Sequence, residues 1–159
     1  MSDMLVRLYD LPTIDPQEMA ALNARGLVFR RAIAPEYRVV TNWVARHFSK
    51  PWAAETEVAF SRQPVSCFLA IEQGEIVGFA CYEATCRDYF GPTGVSESQR
   101  GRGIGRILLL LSLHALREMG YAYAIIGGVG PTRFYEQVAG ATLIEGSQPG
   151  IYKGMLKES

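Results

Sequence analysis

Apolar residues along this chain follow two rhythms, one of period two and one near 3.6, and the changes between them mark out the elements. Met4 to Tyr9 reads as a short strand, closed by Pro12 and Pro16. Asp15-Pro16-Gln17-Glu18 offers an N-cap, a proline at the first helical position and acid in the first turn, which predicts a brief helix to about Arg25, ended by Gly26. Leu27 to Ile33, L-V-F-R-R-A-I, is β-prone and reads as the first strand of the main sheet, so residues 1–26 are expected to be an extension. Ala34-Pro35-Glu36 then opens a helix in which Tyr37, Val40, Val44 and Phe48 recur at helical spacing. It stops near Ser49-Lys50-Pro51, and a second helix runs from Trp52 to Ser61 before Gln63-Pro64.

Strand signals take over from Ser66. S-C-F-L-A-I-E is a buried strand, Gln73-Gly74 a tight turn, and Glu75 to Cys86 its antiparallel partner. After Arg87-Asp88 a third strand covers Tyr89 to Val95, in which Pro92, with Gly91 and Gly94, should bulge or splay the strand from its neighbour. Nothing breaks a helix between Ile107 and Met119; Gly120 ends it, and Tyr121 to Gly128 is a parallel strand. Gly127 to Gly130 permits a sharp turn, Pro131 starts a helix over Thr132 to Val138, and Thr142 to Glu145 and Ile151 to Leu156 read as closing strands. The fold class is α/β (α+β), with a mixed sheet that is antiparallel early, parallel around the 107–119 helix and antiparallel at the end, in one domain over 27–159.

Chemistry concentrates where the third strand meets that helix. Gly101, Gly103 and Gly105 alternate with Arg100, Arg102, Ile104 and Arg106, so backbone can approach a ligand closely while cations flank it. Unpaired N–H groups of a helix's first turn converge on the same spot, which suits a diphosphate. A P-loop is excluded because no G-x-x-x-x-G-K-[ST] string exists. The dinucleotide pattern G-x-G-x-x-G fails at Arg106 when counted from Gly101 and at Leu108 when counted from Gly103. Arg100-Gly101-Arg102-Gly103-Ile104-Gly105 instead matches [QR]-x-x-G-x-[GA] and resembles the acyl-coenzyme A signature of the GNAT superfamily of N-acetyltransferases.

That resemblance implies a splayed central sheet of about six to seven strands with helices on both faces, acetyl-CoA as cosubstrate, and residues Arg100 to Arg106 as the diphosphate loop. It also implies that the pantetheine arm lies in the splay and pairs with Thr93, Gly94 and Val95, and that the two helices after the first strand shape the acceptor pocket. A second stretch, P-T-R-F-Y-E-Q, resembles the family's N-x-x-A-x-x-F-Y-E-K-x-G-F, with Tyr135 on the tyrosine that protonates the departing thiolate. The family's Asn falls on Gly128 and its Ala on Pro131, and Gly140-Ala141 stands for G-F one residue late. The implied reaction is direct attack of a deprotonated primary amine on the thioester, with the oxyanion held by a backbone N–H, assigned to Val95. Glu83 and Asp88, at the end of a hairpin strand leading to the splay, are the candidate bases.

Composition narrows the partners. Sixteen Lys+Arg against sixteen Asp+Glu give no global field for nucleic acid or an anionic membrane, and the longest apolar run, Ile107 to Leu111, is too short for a span. Three cysteines without a C-x-x-C pair point to reduced thiols, no metal site and a cytoplasmic setting. Cys81 and Cys86 lack a neighbouring histidine or helix N-terminus to activate them, which disfavours an acyl-cysteine. Trp43, His47 and Trp52 read either as packing or as pocket lining, and His114 takes no role. The acceptor is a small amine or peptide amine. A homodimer would follow if the Met4 to Tyr9 strand paired with a second copy. The alternative from another class is a non-catalytic acyl-CoA sensor that keeps the loop and lacks the chemistry.

Overall fold

Asp15 caps the first helix as its spacing suggests: its carboxylate accepts the Gln17 N–H at 2.8 Å, with Pro16 at the first helical position. A computed structural model describes residues 1–159. The elements are β1 (Met4–Arg7), α1 (Pro16–Ala24), β2 (Leu27–Arg31), α2 (Tyr37–His47), α3 (Lys50–Phe60), β3 (Cys67–Glu72), β4 (Glu75–Tyr82), β5 (Tyr89–Val95), α4 (Ile104–Glu118), β6 (Tyr123–Ile126), α5 (Thr132–Ala139) and β7 (Thr142–Leu143). The break between α2 and α3 comes from Ser49, whose hydroxyl accepts the Trp52 N–H at 3.2 Å and starts the new helix.

Seven strands form one mixed sheet in the order β2-β3-β4-β5-β6-β1-β7, and β5 with β6 is its parallel pair. Strand alternation divides the core. Phe68, Ala70, Ala80, Tyr82 and Phe90 face α1, α4 and α5, whereas Cys67, Leu69, Phe79 and Cys81 face α2 and α3. Helix α4 lies across β3, β4 and β5, with Ile107, Leu108, Leu109, Leu110, Leu113 and Leu116 wholly buried. At about 1.5–3 kcal/mol for each such side chain, it is the main apolar anchor of that face.

Three expectations need correcting. The segment from Ile151 to Leu156 is not a strand: a 3-10 turn covers Gly150–Tyr152, Gly154 turns at φ +74°, and Leu156 is 92% exposed. The antiparallel place beside β6 is filled by β1 instead, which leaves that segment nothing to pair with there. The strand expected to reach Cys86 ends at Tyr82, because Glu83 takes φ +55° and leaves the ladder. Finally, the N-terminal strand is not a free edge. β1 sits between β6 and β7 with Met4, Val6 and Leu8 fully buried, which removes the ground on which a homodimer was expected.

Candidate active site

The splay expected at Pro92 is present. β5 and β6 pair at Tyr89–Ile125 and Phe90–Ile126 and then part, so a V opens from Phe90 toward Val95. On its other side β5 stays bonded to β4 through Thr93, Gly94 and Val95, and Ser96 N–H donates to Val77 C=O at 2.9 Å. Alternation in an antiparallel ladder then turns the N–H groups of Thr93 and Val95 away from β4, into the V. Thr93 anchors its strand by a hydroxyl bond to Phe79 C=O at 3.0 Å.

The glycine loop closes the wide end of the V. Gly101 and Gly103 adopt φ +83° and +84°, conformations that a side chain would strain, and Gly103 is the N-cap of α4 with no side-chain cap. The first intrahelical bond runs from Ile107 N–H to Gly103 C=O, so the N–H groups before it point outward unpaired. The arginines are partly committed. Arg102 bonds Glu72 at 2.8 Å and also Gln99, and holds the Glu72 carboxyl below the usual range. Arg106 meets Glu18 at 3.3 Å, and Arg100 donates to Val95 C=O at 3.3 Å with no acid beside it. Glu18 also lies 3.9 Å from where a Cβ on Gly103 would stand. Sequence spacing gave no sign that Glu18 and Glu72, far away in the chain, would meet this loop.

Tyr135 comes to the apex of the V. Helix α5 packs it edge-on against Phe90 at 6.4 Å between ring centres, and burial pushes its hydroxyl up to about 12. Glu83 and Asp88 lie by the closed end instead, where Glu83 N–H bonds Tyr89 C=O and Ile125 N–H bonds Asp88 C=O. Both Glu83 oxygens are occupied, one by the Asp88 N–H and one by Tyr121 OH at 3.0 Å, and the residue is 2% exposed. Burial and then the Glu83 charge push the Asp88 carboxyl up to about 6.

Across the sheet from α4, the V is walled by aromatic rings. Phe48, at the end of α2, lies so close to Gly94 that a Cβ there would stand 2.3 Å from its ring. Phe48 stacks on Trp52 at 5.3 Å and meets Phe79 at 5.6 Å, and Trp43 stacks on His47 at 4.3 Å. Beside this wall is a polar group that the sequence reading missed. Glu55 of α3 accepts from the Thr85 hydroxyl at 2.7 Å, with the Tyr152 hydroxyl close by, and burial pushes its carboxyl up. The Tyr152 ring lies 3.7 Å from a Cβ position on Gly128, whose N–H donates to Asp3 at 2.8 Å. The link is long-range, joining α3, the loop after β4 and the C-terminal segment, and no local motif could have announced it.

The comparisons agree with this geometry. The model of the Acetyltransferase (GNAT) family matches residues 29–141. No curated protein matches the chain. Among solved structures, the chain is similar to the GCN5-related glucosamine N-acetyltransferase region of a fungal multi-domain GH3 β-N-acetylglucosaminidase, with TM-score 0.71 and 16% identity over 90% of this chain. It is also similar to a GCN5-related N-acetyltransferase from Sphaerobacter thermophilus, with TM-score 0.63 and 21% identity over 90% of this chain. The chain spans 19% and 48% of those two chains, and at such identities they show the fold. With its family match covering most of its length and its sheet splayed at the expected strand, the chain belongs to the GNAT family of acetyltransferases.

Proposed function

We propose that the protein transfers the acetyl group of acetyl-CoA directly to a primary amine. The observation that carries this reading is the V between β5 and β6, with uncapped N–H groups of α4 at its mouth and a buried tyrosine at its apex. The diphosphate would lie on the backbone of residues 101–105 with Arg100 beside it, and the pantetheine arm would run along Thr93, Gly94 and Val95. Because the V narrows toward Phe90, the thioester reaches deeper than Val95, and the Thr93 N–H is the donor for the tetrahedral oxyanion.

The acceptor enters from the α2–α3 side, between the aromatic wall and Glu55. A carboxylate with a raised proton affinity takes the proton of the incoming ammonium. The free amine attacks the thioester carbonyl, a C–N bond forms, and the C–S bond breaks as the oxyanion collapses. Tyr135, kept protonated by its burial, lends its proton to the departing sulfur and recovers one from the nitrogen through the acceptor-side groups. The products are the amide, coenzyme A and one proton. Glu83 has both oxygens committed, to Asp88 and Tyr121, whereas Glu55 has one committed, to Thr85, and keeps the other for the incoming amine.

The test is thiol release against a panel of amines that includes glucosamine, polyamines, amino acids and peptide N-termini, with Tyr135→Phe and Glu55→Gln alongside. Activity with one amine, cut about a hundredfold in kcat by either change, supports the transferase. Coenzyme A binding without thiol release from any amine would instead leave a sensor that keeps the fold.

A further inference from the structure

A cavity of about 300 Å³ opens at the other end of α4 from the glycine loop, lined by Arg31, Arg62, Ser66, Tyr82, Ala115 and Met119 among others. Fourteen steps of about 1.5 Å each put the two ends of the helix about 21 Å apart, so the cavity lies well away from the glycine loop. Its floor is the sheet face that carries Phe68 and Tyr82. Ser66 stands opposite Tyr82, whose N–H donates to Ser66 C=O at 3.0 Å, so alternation sends the Ser66 hydroxyl to that same face. Ser66 is 1% exposed and its hydroxyl has no hydrogen-bond partner. Buried hydroxyl groups are nearly always hydrogen-bonded, so a ligand atom is expected to meet this one.

Of the three arginines around it, Arg87 pairs with Glu83, whereas Arg31 and Arg62 lack acid partners. Arg31 lies over the Phe68 ring at 4.6 Å, gives its Nη1 to Val65 C=O at 3.0 Å and to the Tyr82 hydroxyl, and so is held with Nε and Nη2 unspent. Arg62 gives only Nε, to Glu83 C=O at 3.1 Å. Neither forms a salt bridge; of the two acids in the wall, Glu83 is engaged by Asp88, Tyr121 and Arg87, and Glu118 lies out at the surface. Two guanidinium groups in one wall, a free hydroxyl and an apolar side made by Ala115, Met119 and Pro64 describe a receptor for an anion with an apolar body.

We propose that this cavity binds a small carboxylate- or phosphate-bearing molecule, at a site apart from the glycine loop, with Glu83 standing between its wall and the closed end of the V. The anionic head would bridge Arg31 and Arg62 and accept from Ser66, and the body would lie along the end of α4.

The test titrates the full chain with benzoate and with inorganic phosphate, followed by NMR so that each residue reports separately. Saturable shifts at Arg31, Arg62 and Ser66 with either probe are expected, weakened about tenfold by Arg62→Gln and less by Ser66→Ala. Arg62→Gln removes the guanidinium at a partly exposed position, and a well-dispersed spectrum certifies that the variant is folded. No saturation by about 10 mM, or shifts confined to residues 100–106, or an Arg62→Gln protein that binds as before, overturns the proposal. Arg100→Gln, in the loop, leaves these shifts unchanged and tells the two sites apart.

Discussion

Single residues set the electrostatics of both ends of the V. Glu18 holds a carboxylate against the positive end of α4, close to Gly103 and to Arg106, where an anionic ligand should go. Glu18→Gln should therefore tighten coenzyme A about two- to fivefold at low salt, with the gain fading as salt rises, as calorimetry would read. Asp88 works on stability instead. Its carboxyl is pushed from 3.8 to about 6, so the folded state holds its proton more tightly than the unfolded chain does. The favourable neutral form is fully present below pH 3.8 and is lost as the pH rises through about 6. Asp88 is partly open to water, so the penalty at neutral pH is about 1 kcal/mol. Asp88→Asn should raise the melting temperature by a few degrees at pH 7 and leave it unchanged at pH 3, since asparagine also tolerates the φ of +66° found there. The glycine loop was legible at this scale because its spacing is local. Its ion pairs were not, because Glu18 and Glu72 reach it only through the folded sheet.

Elements show a similar division. Helix α4 and both helices between β2 and β3 announced themselves through apolar period, caps and prolines. The splay was legible from Pro92, since a residue without an N–H cannot continue a two-sided ladder. Segment 151–156 misled because Ile151, Tyr152, Met155 and Leu156 are apolar residues that suit a strand, and composition says nothing about whether a partner is free. Strand β5 also carries the tightest packing near the site. Gly94→Ala would drive a methyl into the Phe48 ring, which is pinned by Trp52 and Phe79 and cannot swing away. A loss of about 1–3 kcal/mol in denaturant unfolding is expected, together with reduced acetyl transfer, because both walls of the cleft move.

At the scale of the whole molecule, the arrangement depends on β1. The sequence reading set residues 1–26 apart because a short strand before a proline-rich stretch carries no signal of its partner. The partners, β6 and β7, lie more than a hundred residues away, with Met4 opposite Ile126 and Leu143. Val6→Asp would put an unpaired charge at a fully buried position, and loss of the cooperative thermal transition is expected. Val28→Asp, on the outermost strand β2 and half exposed, should change stability by about 0.5 kcal/mol or less. The contrast tells whether the two ends of the sheet carry equal weight.

The contact between Phe48 and Gly94 has an optical consequence. The chain has two tryptophans, and Trp43 and Trp52 both touch the ring that rests on the strand where an acyl carrier would lie. Any shift of β5 on loading is passed through one benzyl group to both indoles, so the protein's native emission becomes a label-free gauge of cosubstrate occupancy.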